Sequence, residues 1–220
     1  MKFTKDEIRK SMLLYAVTDQ MWLKDGEKLA DVVEAVLQNG ATFLQIREKD
    51  LAEDAFELEA ERLKTLCAQH GVPFVVNDSV EIAMQCDADG VHVGQSDIKG
   101  RDIRAIIGSD KILGISAGTV EEAVAAENAG ADYIGVGAVF PTGTKKNATP
   151  MTMELLKEIV SSVSIPVVAI GGISAENILQ LRGSGVDGVA VVSAIFAAED
   201  PGKATSDLLK LAEQVVASHG

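Results

Sequence analysis

Several short stretches of this chain bring together side chains that could do chemistry. The first reads Gln45-Ile46-Arg47-Glu48-Lys49. In an extended strand side chains alternate, so Gln45, Arg47 and Lys49 share one face. If Leu44 and Ile46 pack toward helices, those three point the other way. An arginine fork beside a lysine point charge suits an anion; a charged strand end with its lysine reaching into solvent is the plainer reading. Asp78 follows Asn77, and Asp97 closes Gly94-Gln95-Ser96-Asp97. Either aspartate could be a helix N-cap. Two carboxylates near a cationic clamp also suit a hard cation, since Mg²⁺ takes one or two carboxylates, several waters and phosphate oxygens. The loop Pro141-Thr142-Gly143-Thr144-Lys145-Lys146-Asn147 fits an oxyanion or a surface turn, and it lacks the spacing of a P-loop. Gly171-Gly172 and Val192-Ser193 could let backbone N–H groups reach a phosphate, helped by a short following helix. Ser116 stands without a GxSxG or a Ser–His–Asp pattern, which disfavours nucleophilic hydrolysis.

These stretches need elements to position them. Apolar runs at 13–19, 42–48, 73–78, 90–94, 112–117, 133–140, 166–172 and 188–196 read as strands. Most are continuous rather than alternating, as in a parallel sheet covered on both faces. Amphipathic segments near 27–39, 52–69, 79–86, 98–107, 119–129, 151–163, 174–183 and 204–218 read as helices. A weak echo recurs before the even strands: NGAT, DADG, AGAD and SGVDG. With no linker or break in composition, 1–220 reads as one α/β domain, a (β/α)₈ TIM barrel, with 2–10 as a helix covering its bottom. A doubly wound sheet is the alternative. In the barrel the stretches above all fall at strand C-terminal ends, where such folds carry their sites.

The chain has 220 residues, 47% of them hydrophobic, enough for a sizeable core. Its formal charge of −13 disfavours nucleic acid and anionic membrane as partners, so any anion site is a local basic island. Cys67 and Cys86 form no metal-binding CxxC and read as reduced thiols. His92 reads as a core or supporting residue, His70 and His219 as surface residues. No apolar leader or membrane-length run is present, and the chain reads as soluble and cytoplasmic. Two anion sites on one rim, one beside a metal, suit two phosphorylated small molecules and group transfer with loss of pyrophosphate.

Taken in order, QIREK at 45–49, ND at 77–78, HVGQSD at 92–97, GIS at 114–116, FPTGTKK at 140–146, AIGGI at 169–173 and AVVSAI at 190–195 resemble the motifs of the thiamine phosphate synthase (thiamine-phosphate pyrophosphorylase) family. The resemblance runs from about 13 to 198. It implies that Gln45, Arg47, Lys49, Asn77, Ser116 and Lys145 hold hydroxymethylpyrimidine diphosphate, with Glu48 counted in the same stretch. Asp78 and Asp97 would bind Mg²⁺. Thr142, Gly143, Thr144, Gly171, Val192 and Ser193 would hold a thiazole phosphate. Catalytic work would fall to Arg47, Lys49, Ser116 and Lys145, by a dissociative route through a pyrimidine carbocation. One departure stands out: the family often carries His two residues after the strand-five serine, and here that position is Gly118. A related branch, the aminothiazole tautomerases, uses a histidine in that region and lacks the metal carboxylates. That branch and a non-catalytic thiazole-phosphate-binding barrel are the competing readings. Oligomeric state is left open, a homo-oligomer included.

Overall fold

The structure, a computed structural model, describes residues 3–48, 51–142 and 151–217. Eight parallel strands close into a barrel in sequence order: β1 Leu14–Val17, β2 Phe43–Ile46, β3 Phe74–Asn77, β4 Gly90–Val93, β5 Ile112–Ala117, β6 Tyr133–Val136, β7 Val167–Ile170 and β8 Gly188–Val191. Closure is made by β1 pairing with β8, Tyr15 opposite Ala190. The expected (β/α)₈ barrel is therefore the observed fold.

Strand alternation divides the core in two. Outward residues such as Leu44, Ile46, Val91, Ile115, Ile134 and Val189 pack against the helical shell. Inward residues Tyr15, Val17, Phe43, Val75, Ile112, Tyr133, Val168 and Ala190 fill the barrel. The shell comprises α2 Leu29–Gln38, α3 Glu53–His70, α4 Val80–Gln85, α5 Ile103–Ile107, α6 Val120–Asn128, α7 Met153–Ser162, α8 Ser193–Phe196 and α9 Pro201–Val216. An earlier helix, α1 Lys5–Ser11, starts with a capping box between Thr4 and Glu7. It buries Ile8 against the inward cluster at the barrel's base, and it runs from Lys5 to Ser11 where the sequence reads as helix over 2–10. Arg9 fixes it there, pairing with Asp187 and donating to Ser164 O at 2.6 Å.

The sequence echo has a physical role. The polar residue just before each even strand accepts the backbone N–H at the start of the preceding odd strand. Thr42 Oγ1 takes Leu14 N–H at 2.8 Å, Asp89 takes Phe74 N–H at 3.0 Å, Asp132 takes Leu113 N–H at 2.8 Å and Asp187 takes Val167 N–H at 2.8 Å. Each would otherwise be a donor at a strand end with much of its water excluded.

The four largest boundary differences from expectation are these. The eighth strand stops at Val191, because Val192 turns out of extended geometry (φ −115°, ψ −86°) and 193–196 is helix α8. Its apolar residues fit a buried helix as well as a strand. The sixth strand ends at Val136, although Val139 and Phe140 N–H still donate to Ile170 O and Gly171 O. The helix expected from 98 begins only at Ile103, capped by Asp102. The helix expected over 174–183 is a 3₁₀ turn at Ile178–Leu181, for Asn177 binds Ser174 N–H and Gly172 O and offers the backbone a local alternative.

Candidate active site

The strand C-terminal ends bring the expected groups to one mouth. Gln45 lies in β2, and Arg47, two residues on, stands just beyond its end. Gln45 is buried, its Nε2 donating to Tyr15 Oη at 2.6 Å. Arg47 is anchored by its backbone N–H to Thr18 Oγ1 (3.0 Å) and by Nη1 to Asp19 Oδ2 (3.4 Å). That pair is one-pronged and long, so among the described residues most of the fork is unspent.

The two aspartates converge as expected. Asp78 N–H donates to His92 O at 2.8 Å, carrying the β3–β4 ladder one step further. The residue then adopts a left-handed backbone (φ 62°), which aspartate tolerates better than most side chains. Asp97 is held by its own turn, Oδ2 accepting Gly94 N–H at 2.8 Å and Oδ1 accepting from Ser96 at 3.3 Å. Its carboxylate meets that of Asp78. Burial in the mouth, then the Asp97 charge, push the Asp78 carboxyl above the ordinary range, against the pull of Asn77 and Arg47. All four groups thus act on one point. A carboxylate pair of like charge beside an arginine is unfavourable by itself and fits a cation between the two. Among the described residues no cluster of three or more metal-ligating side chains exists. The pair can therefore supply two protein ligands, which suits a hard ion that keeps water and shares substrate oxygens.

Ser116 is the penultimate residue of β5, its Oγ 3.0 Å from His92 Nε2 and its carbonyl accepting from Gln95 Nε2 at 2.6 Å. At Gly118, where the family often has histidine, the N–H donates to Glu122 Oε2 at 2.7 Å. A Cβ there would lie 3.4 Å from the same oxygen. Gly171 and Gly172 have positive φ (101° and 68°), and added Cβ atoms would lie 2.6 Å from Ala138 Cβ and 2.4 Å from Pro141 O. These glycines admit the backbone of 138–141 against the end of β7. Val192 and Ser193 stand beside them at the start of α8. Thr142 is half-buried after that segment. Lys49, Gly143, Thr144 and Lys145, expected in the site, lie outside the described residues, as does His219.

Glu48 stands apart from the other expected site residues. Alternation sets it on the other face of β2 from Gln45 and Arg47, beside Gln20 and near Glu59. Burial first, then Asp19 and Glu59, raise its carboxyl to about 7. Its Oε1 is buried with no hydrogen-bond partner among the described residues. Sequence reasoning passed over Thr18 and Asp19, which brace Arg47. The signal was present, since Asp19 ends the apolar run 13–19 just as Arg47 and Asp78 stand at the ends of theirs.

The sequence profile of the thiamine monophosphate synthase family matches residues 14–195. The thiamine-phosphate synthase of Ruminiclostridium cellulolyticum is 48% identical over 198 residues, covering 90% of this chain and 94% of the relative. That of Methanobrevibacter smithii is 48% identical over 197 residues, covering 90% and 93%. Among solved structures, a thiamine phosphate pyrophosphorylase from Pyrococcus furiosus superposes with a TM-score of 0.86 at 39% identity, covering 95% of this chain and 99% of that one. The phosphate-handling (S)-3-O-geranylgeranylglyceryl phosphate synthase of Thermoplasma acidophilum, at 14% identity and a TM-score of 0.67, shares the fold alone. With its family motifs in order along a closed barrel and matches of this extent, the chain belongs to the thiamine monophosphate synthase family, whose members are transferases.

Proposed function

We propose that this chain, acting as one domain in the cytoplasm, transfers the hydroxymethylpyrimidine group from its diphosphate to a thiazole phosphate. The products are thiamine phosphate and pyrophosphate, and Mg²⁺ is the cofactor. The carrying observation is the pair Asp78 and Asp97, set against each other beside Arg47. Mg²⁺ held by those two carboxylates would supply positive charge to the departing diphosphate.

The chain's own residues do the rest. Arg47, braced by Asp19, offers its free prongs to diphosphate oxygens as the methylene C–O bond breaks and both electrons leave with the diphosphate. Lys49 and Lys145 join this role on the strength of the family resemblance. Gln45 and Ser116 hold the pyrimidine, whose amino group stabilises the ring cation, so no protein nucleophile takes part. The Gly171–Gly172 turn and the start of α8 take the phosphate of the thiazole. That holds the thiazole nitrogen where its lone pair can close the new C–N bond, which is catalysis by orientation.

The test is release of pyrophosphate. It is expected only with both substrates and a divalent ion present, and to vanish with EDTA and return with added Mg²⁺. Full turnover in EDTA, or release from a single substrate at the same rate, overturns the reading.

A further inference from the structure

A line of five polar side chains crosses the barrel beneath the mouth. Gln45 Nε2 donates to Tyr15 Oη at 2.6 Å, and Tyr15 Oη lies 2.8 Å from Tyr133 Oη. Tyr133 Oη is 3.0 Å from His92 Nδ1, and His92 Nε2 is 3.0 Å from Ser116 Oγ. Both phenols are essentially fully buried. Room for the line is built in: a Cβ at Gly114 would lie 2.2 Å from Tyr133 Cζ and 2.5 Å from His92 Nδ1. The proposed reaction uses the two ends, Gln45 and Ser116. It gives the three groups between them no task, and buried polar groups are costly unless every hydrogen is placed.

Counting hydrogens gives the line a direction. Burial raises both phenols above their ordinary range, so each keeps its one hydrogen. Tyr15 Oη accepts from Gln45, and its own hydrogen goes to Tyr133. The Tyr133 hydrogen then goes to His92 Nδ1. The imidazole is left with its hydrogen on Nε2, where it donates to Ser116 Oγ. The Ser116 hydrogen remains for an acceptor in the mouth. At the other end Gln45, its amide nitrogen turned inward, presents Oε1 as an acceptor.

We infer that Tyr15, Tyr133 and His92 are positioning residues, a one-way hydrogen-bond chain that holds Ser116 as donor and Gln45 as acceptor toward the substrate ring. As a statement about specificity this rests on the proposed function. The ring it selects has an amine hydrogen for Gln45 and a ring-nitrogen lone pair for Ser116, as an aminopyrimidine does. A keto oxygen in place of the amine would set two acceptors against each other.

The deciding measurement is the tautomer of His92, read by ¹⁵N NMR of the histidine-labelled, substrate-free protein. The chain has three histidines, and the His92 signals are those lost in His92→Gln. The expected state is neutral, with hydrogen on Nε2 and an acceptor-type Nδ1. Tyr133→Phe should mix the tautomers, whereas Tyr15→Phe should leave them unchanged, because Tyr133 still has a hydrogen to give. In turnover, Tyr133→Phe should raise KM for the pyrimidine diphosphate about 3–10-fold and leave KM for the thiazole phosphate within about twofold. Hydrogen on Nδ1 or a doubly protonated ring in the unaltered protein overturns the inference. So does a Tyr133→Phe change that moves both KM values equally or neither. The tautomer needs no turnover, so it is decided even if the transferase reading fails. Conversely, a reversed tautomer in an active enzyme sinks only the chain.

Discussion

The two ends of the barrel use carboxylates in opposite ways. At the bottom, Asp89, Asp132 and Asp187, with Thr42 in the fourth place, repeat one job, each accepting a backbone N–H from the first two residues of a neighbouring strand. Asp132 and Asp187 are also paired with Arg104 and Arg9. At the mouth nothing repeats. Asp78 faces Asp97, Asp19 braces Arg47, and Glu48 keeps an oxygen buried without a partner among the described residues. The bottom is a satisfied arrangement that holds the barrel. Among the described residues the mouth sets like charges against each other, which costs stability and, on the proposed reading, would reserve binding capacity for an ion and an anionic substrate.

Mutations should split along that line. The largest effect is expected from Asp78→Asn, which keeps a residue tolerant of the left-handed backbone and removes one charge of the pair. Turnover should fall about 10²–10³-fold, while Tm without metal holds or rises because a repulsion is gone. A lower Tm with full activity would erase the contrast. Asp132→Ala should do the reverse. It strands Leu113 N–H and one prong of Arg104, so urea unfolding should show a loss of about 1–3 kcal/mol with kcat/KM unchanged. Arg47→Lys keeps the charge and loses the fork. About a tenfold higher KM for the diphosphate is expected, visible in initial rates, with KM for the other substrate unmoved. Equal KM values for wild type and variant would mean that the guanidinium geometry is idle.

The smallest effect concerns Glu48. Its folded-state carboxyl is raised to about 7, above the unfolded value. The folded protein therefore holds its proton longer, and stability present below about pH 4.5 is lost as pH rises through about 7. Discounted for partial exposure, the loss is about 1 kcal/mol. Glu48→Gln should therefore stabilise by about that much at pH 8 and by nothing measurable at pH 4. Equal gains at both values would assign the effect to packing.

How much of this was legible depended on repetition. Continuous apolar runs marked all eight strands, and the small motifs before the even strands marked the bottom rim, because one physical task recurred four times. The mouth was legible where charged side chains interrupt apolar runs, as at Arg47 and Asp78. It was hidden where function wears the look of packing. Tyr15 and Tyr133 lie inside apolar runs and drew no notice there, and only the fold brings their hydroxyls together across 118 positions of sequence. Glu48 shows the converse: it sits in the same stretch as Gln45 and Arg47, but strand alternation turns it from their face towards Gln20 and Glu59. The stretch 193–196 could not be settled by hydropathy, since a buried helix and a buried strand share it.

The plug formed by α1 bears on traffic. With Ile8 and Met12 sealing the base, and Tyr15, Phe43 and Tyr133 stacked above them, the lumen is a cul-de-sac. Whatever reacts here must arrive and depart by the same door. On the proposed reading, a pyrimidine seated deep against Gln45 would enter before a thiazole phosphate at the rim, and pyrophosphate would leave past the residues proposed to hold it.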